Sequence, residues 1–351
     1  MTKTRNVQNY LKAVFFDRPE WIPCNIGLPP ATWMKYRDEL DELVRAHADL
    51  FPDYREGGDF DAVDDRRYEP GEFTDNWGCR WRNIERGLDG IVVGSPLESW
   101  DAFEGYRAPD PIREGDGWTA PPDWDALARE FDEVKARGGL ATGGLPHGFM
   151  YMRLCDLRGF ENLMVDIATD EPRLQQLIDM VLEYNLAQIE RNLDAGAERM
   201  ILGDDLGLQT ALAISPDKFR QYLKPCYARL VGLCCEHGAI VYLHSDGHVL
   251  PLIPDLVEAG VNVLNPQVRA NTLDGLREAA KGTVCIHLDL DRQLFPFATP
   301  DEIKAHVHEA VDALGSDDGG LMLYAECEPD VPLGNIEALC DAFEAVGGPS
   351  I

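Results

Sequence analysis

An α/β chain folded as a (β/α)8 barrel is what this sequence predicts, on three observations. From about residue 138 onward, short apolar stretches alternate with helical ones in regular steps, the pattern of parallel βαβ units. The length, 351 residues, suits one barrel of about 250 residues with insertions. No G-x-G-x-x-G or P-loop pattern follows any of the expected strands, which counts against the runner-up, an open doubly wound sheet.

In chain order, an early strand is expected over residues 21–26 and the next over 139–145. Glu171-Pro172 opens a long helix to residue 195, with Leu174, Leu177, Ile178, Val181 and Leu182 at helical spacing. A strand follows over 199–203. Ser215-Pro216-Asp217 then combines a Ser cap, Pro at the first helical position and an acid in the first turn, for a helix running to Gly238. Strands over 240–244, 261–264, 284–288 and 321–324 alternate with helices ending near 260, spanning 273–280 and 299–314, and closing the chain over 335–346. Residues 1–130 are rich in Asp, Trp, Pro and Gly and read as an irregular N-terminal part holding early barrel units. Within it, 53–82 suits a lid, with Trp77 and Trp81 packed either on substrate or in the core. The whole, 1–351, is expected to be a single domain.

The composition excludes several classes. A formal net charge of −30 repels phosphate backbones and anionic lipid, so neither nucleic acid nor a membrane surface is expected as partner. Nine cysteines, an odd number without regular spacing, argue against a disulfide framework. With no apolar signal core and no long apolar run, the expectation is a cytoplasmic protein with reduced thiols.

Active sites of barrels lie where strands end and βα loops begin. Polar residues follow one expected strand after another: His147; Asp204 and Asp205; His244, Ser245 and Asp246; Asn265 and Gln267; His287, Asp289 and Asp291; Glu326, Cys327 and Glu328. Each taken singly reads as a helix cap or a solvated loop; in succession on one rim they read as a polar cavity. His244 and Asp246, two apart at a strand end, point to one face. Cys327 from another strand would complete a three-ligand zinc site with one position open. The alternative is that His244 and Asp246 hydrogen-bond substrate or each other.

Several stretches resemble the uroporphyrinogen decarboxylase-like superfamily, in particular its corrinoid-dependent methyltransferase branch. They are Asp75-Asn76-Trp77-Gly78-Cys79, Gly203-Asp204-Asp205-Leu206-Gly207, Ile214-Ser215-Pro216-Asp217-Lys218-Phe219, His244-Ser245-Asp246-Gly247, Gly260-Val261-Asn262-Val263-Leu264-Asn265-Pro266, and Asp330-Val331-Pro332 with Asn335. The resemblance implies a (β/α)8 barrel with its cleft at the strand C-termini, and a homodimer, since barrels of this superfamily often pair. The porphyrin decarboxylase itself departs from this chain. Its N-terminal Arg-Gln-Ala-Gly-Arg-Tyr is absent, with Trp21-Ile22-Pro23-Cys24-Asn25 in that region, and its C-terminal Gly-His-Gly is replaced by Glu326-Cys327-Glu328. The zinc methyltransferases carry His-x-Cys-Gly and a later Cys, matched here by His244, by Asp246 in place of Cys, and by Cys327.

The resemblance therefore implies a methyltransferase moving a methyl group from a small O-, N- or S-methylated substrate to a corrinoid on a separate protein. Zinc would be held by His244, Asp246 and Cys327. Asp204 and Asp205 would orient substrate or relay protons, Asn265, Gln267, Asp291 and Trp77 would contact substrate, and His147 would serve as an acid. The alternatives are a metal-free decarboxylase, which needs a basic cluster drawn from Arg80, Arg82, Arg153 and Arg158, and a non-catalytic ligand-binding barrel.

Overall fold

The computed structural model describes residues 2–52 and 54–351. Its strands in chain order are β1 (Ile22–Gly27), β2 (Gly71–Thr74), β3 (Arg80–Asn83), β4 (Ile91–Gly94), β5 (Thr142–Gly144), β6 (Arg199–Gly203), β7 (Ile240–Ser245), β8 (Val263–Pro266), β9 (Cys285–Asp289), β10 (Leu321–Glu326) and β11 (Gly347–Pro349). The chain divides into two compact units, each assembled from segments distant in sequence. No described helix is long and apolar enough to cross a membrane.

The first unit comprises Met1–Val63, Lys135–Leu140 and Asn262–Ile351. Its strands lie in the order β11-β1-β10-β9-β8, every neighbouring pair parallel. β8 and β9 are buried at every position, as parallel strands covered on both faces must be. The helix Pro300–Leu314 starts where the sequence places it. Thr299 and Glu302 form a reciprocal capping box, and Pro300 occupies the first turn, where its missing N–H costs nothing.

The second unit comprises Asp64–Val134 and Ala141–Val261. It holds the parallel strands β5-β6-β7 and a small antiparallel sheet, β2-β3-β4. The register pairs Gly203 of β6 with His244 of β7, so both strands end side by side. The helix expected over 215–238 is broken. Ser215 caps a first turn, residues Phe219–Leu223 widen into a π-helical turn, and Lys224–Glu236 continues as α-helix. Pro225 accounts for the break: without an N–H it cannot close the i→i−4 bond, and its ring crowds the preceding turn. The α/β class and the alternation of parallel strands with helices are thus as the sequence predicts.

Asp53, where the expected lid segment begins, lies outside the described residues. The rest of that segment corrects one expectation. Trp77 is not a substrate contact: it is 1% exposed, its indole N–H donates to Asp116 at 2.6 Å, and its ring meets Tyr184 edge-on. Trp81 is also buried and donates to Asp75 at 2.9 Å. Both belong to a buried network in which the Arg153 guanidinium lies between Asp75, at 3.2 Å, and Asp116, at 3.3 Å.

Asp156 sits at the edge of this network, 4.0 Å from Arg153, and burial pushes its carboxyl up to about 7. Because the folded protein holds this proton above the usual carboxylate range, stability falls as pH rises from about 4 to about 7. Asp156→Asn is expected to flatten that slope. Urea titrations at pH 5 and pH 8 should show the variant gaining on the order of 2 kcal/mol over wild type between the two. An equal slope in both proteins would show that Asp156 ionises freely.

Candidate functional site

The site is built in the second unit, on three loops that follow β5, β6 and β7. The β6 loop is Asp204-Asp205-Leu206-Gly207 and the β7 loop starts at His244-Ser245-Asp246-Gly247. They are stitched by two backbone–backbone and two backbone–side-chain hydrogen bonds. Asp204 N donates to the His244 carbonyl at 3.1 Å, Leu206 N to Ser245 Oγ at 3.0 Å, Asp246 N to Asp205 Oδ1 at 3.0 Å, and His248 N to the Leu208 carbonyl at 2.8 Å. Gly207 and Gly247 touch backbone to backbone. A Cβ on Gly247 would lie 2.3 Å from the Gly207 carbonyl carbon, and one on Gly207 would lie 2.4 Å from His248 N. The third loop joins through Gly148 N, which donates to the Gly203 carbonyl at 2.8 Å.

These loops bring together His147, Asp205 and His244. Among the described residues they form the group of His, Cys, Asp or Glu side chains whose ligand atoms all lie within 4.8 Å of one another. His147 Nε2 is 3.3 Å from Asp205 Oδ2, and His244 Nε2 is 3.8 Å from Asp205 Oδ1. The two imidazoles stand 5.5 Å apart between ring centroids. Gly203 makes room for this: a Cβ there would come within 2.6 Å of His147 Nδ1. Asp246 flanks the group, with Oδ1 3.1 Å from His244 Nε2. His147 is the most open member, with 42% of its side chain exposed.

The electrostatics follow from the geometry. Burial pushes the Asp205 carboxyl up, but the His147 hydrogen bond and charge, the Asp246 N–H and His244 outweigh it and hold the group below its usual range. Burial pulls His147 down, and its bond to Asp205 more than restores it, so its basicity is raised. A carboxylate between two imidazoles favours a positive charge at this point, whether a proton or a metal ion.

The other expected site residues each have surroundings of their own. Asp204 does not line the cluster. It is fully buried, and its carboxylate accepts from Tyr151 N at 2.6 Å, Met152 N at 2.9 Å and Tyr227 Oη at 2.5 Å, capping the helix Tyr151–Arg158. Burial pushes it up to about 6 against the pull of these three donors. Asn265, Gln267, Asp291 and Cys327 belong to the first unit. Asn265 is buried and donates to the His287 carbonyl at 2.6 Å, while the Gln267 backbone bridges to Asp289. Asp291 pairs with Arg269 at 2.8 Å and lines a cavity of about 600 Å³ with Arg277 and His306. Cys327 is fully buried, and burial beside Cys340, Glu326 and Glu328 pushes its thiol far above the usual range.

Of the four arginines that a decarboxylase would need, three are held in ion pairs, and Arg80 donates to the Val93 carbonyl at 3.3 Å. Arg153 lies in the network above, Arg158 binds Asp166 at 2.7 Å, and Arg82 binds Glu72 on the surface at 2.7 Å. A separate cavity of about 370 Å³ in the second unit is lined by Trp118, Trp124, Gln188, Asn192 and Pro146, the neighbour of His147. Sequence reasoning missed Tyr227, Gly203 and the paired glycines. The glycines had a signal, since each sits at a fixed place in its loop motif. Tyr227 had none.

Comparison with known proteins places the chain. No curated protein matches it in sequence. Among solved structures, a methyltransferase from Methanosarcina mazei superposes with a TM-score of 0.65 at 18% identity, covering 98% of this chain and 99% of that one. This shows a shared fold along nearly the whole length. A B12-independent methionine synthase from Shewanella sp. W3-18-1 aligns at 11% identity over 64% of this chain and 66% of its own, with a TM-score of 0.41. The family model described as uroporphyrinogen decarboxylase (URO-D) matches residues 87–346, most of the chain, and the chain belongs to that family.

Proposed function

We propose that this chain is a methyltransferase of the uroporphyrinogen decarboxylase family, with the family's (β/α)8 barrel as its scaffold. Its reaction moves a methyl group from a small O-, N- or S-methylated compound to a corrinoid carried by a separate protein. The observation that carries this reading is the convergence of His147, Asp205 and His244 at the ends of adjoining strands. The fold shared with the M. mazei methyltransferase supports it.

The chemistry asked of the site is specific. The bond between the methyl carbon and its heteroatom breaks, the methyl group passes to the corrinoid nucleophile, and the heteroatom keeps the electron pair. That leaving group needs an electrophile. The Asp205 carboxylate raises the basicity of His147, so the cluster presents either an imidazolium proton or, when loaded, a metal ion as Lewis acid. The 370 Å³ cavity is of the size that takes a small ligand, with indole faces for its apolar part and the amides of Gln188 and Asn192 to orient it. The ion pairs that occupy Arg153 and Arg158 leave neither free to bind substrate carboxylates, which counts against decarboxylation.

The test uses cob(I)alamin as a stand-in for the corrinoid protein, with a panel of methyl ethers, methylamines and methyl thioethers. Absorbance should report methylcobalamin with at least one donor class. His244→Ala should lower that rate by about 100-fold or more, the scale of a lost acid or ligand. No methylation with any donor, alongside release of carbon dioxide from a carboxylated compound, would replace this reading with the decarboxylase.

A further inference from the structure

We propose that His147, Asp205 and His244 together hold one divalent first-row transition-metal ion, with no cysteine thiolate in its shell.

The donor spacing fits. Bonds of about 2.0–2.1 Å in tetrahedral geometry put neighbouring donors about 3.4 Å apart. The observed separations are 3.3 Å from His147 to Asp205 and 3.8 Å from His244 to Asp205, so an ion between them requires only small rotations. Two imidazoles and one carboxylate are a donor set that first-row divalent ions accept, and three protein ligands leave a position open.

The surrounding structure holds the donors in place before any ion arrives. Asp205 is fixed by the Asp246 N–H, the His244 loop by four cross-loop hydrogen bonds and the glycine contact, and the His147 ring by its bond to Asp205, in the room that Gly203 leaves. Such fixing of donors by their supporting hydrogen bonds accompanies metal sites generally. Asp246, 3.1 Å from His244, stands as an outer carboxylate. Among the described residues no cysteine sulfur joins the three donors of this group.

This inference concerns the same site as the methyl-transfer reading, but metal binding is measured without substrate or corrinoid, so the two can fail separately. The experiment is titration of the metal-stripped full-length protein with cobalt(II), followed by visible and near-ultraviolet absorption, and zinc content by mass spectrometry. One ion per chain is expected, with ligand-field bands in the visible and no thiolate-to-cobalt charge-transfer band. His147→Ala and Asp205→Asn should each weaken cobalt binding by more than about 100-fold, beyond the 10–100-fold carried by outer partners. Asp246→Asn should fall within that outer range, and Cys327→Ser should bind as wild type. Circular dichroism establishes that each variant is folded. A charge-transfer band, loss of metal in Cys327→Ser, undiminished binding in His147→Ala, or no metal taken up by wild type each refutes the assignment.

Discussion

Arg153→Met is expected to destabilise the protein more than any other single change on the polar side of its interior. The guanidinium is 3% exposed and lies between Asp75, whose side chain is fully buried, and Asp116, at 3.2 and 3.3 Å. It also stacks at 5.2 Å from Trp77 and 4.8 Å from Trp118. Removing the cation leaves buried carboxylates facing one another with no counter-charge. Breaking a buried pair in this way costs about 3–5 kcal/mol, a large part of a typical domain's total stability of about 5–15 kcal/mol. Urea denaturation followed by tryptophan fluorescence should show the midpoint falling steeply, or no folded baseline. The double variant Arg153→Met, Asp116→Asn should recover part of the loss. The amide oxygen can still accept from Trp77 and Tyr184, while one stranded charge is gone. If Arg153→Met unfolds at the wild-type midpoint, the network contributes nothing and Trp77 is held by packing alone.

The Arg153 network also marks where sequence reading stopped. The strand and helix pattern after residue 138 was legible because its signals are local. Arg199–Gly203 is an apolar strand closed by Gly, and Thr299-Pro300-Asp301-Glu302 starts a helix by itself. The strands Gly71–Thr74, Arg80–Asn83 and Ile91–Gly94 are four residues each and partly exposed, too short for any period to emerge. The strand-end rule collected His147, Asp205, His244 and Asp246, which the structure brings close together. It could not sort them from Asp204, because the role of Asp204 is set by a helix start 53 residues earlier in the chain. Trp77 likewise takes its meaning from Asp116, 39 residues away. Asp204 and Asp205 are adjacent in sequence and face opposite fates, one capping a helix in the interior and the other meeting two imidazoles. Alternation along the chain separates such neighbours, but only the tertiary structure says which side is the site.

Gly247→Ala is expected to disable the site while leaving the fold in place. Gly247 has φ +78°, a left-handed conformation in which any other residue costs about 1–2 kcal/mol. Beyond that, its Cβ would lie 2.3 Å from the Gly207 carbonyl carbon, a backbone atom that cannot rotate away. The β6 and β7 loops must then separate, and the hydrogen bonds from Leu206 to Ser245 and from Asp246 to Asp205 lengthen with them. His244 moves relative to Asp205, and both cobalt binding and methyl transfer should fall by about 100-fold, the scale expected of a misplacement near 1 Å. Gly238→Ala isolates the conformational part of the effect. Gly238 also has positive φ, +71°, but nothing lies within 4 Å of where its Cβ would be. That variant should lose about 1 kcal/mol of stability and keep wild-type metal affinity. Thermal unfolding and cobalt titration on the two variants side by side therefore separate backbone strain from loop contact. Equal behaviour would mean that the Gly207–Gly247 contact does not position the cluster. A loss of affinity confined to Gly247→Ala would mean that the glycines of the two loop motifs serve the site through the approach of one backbone to another.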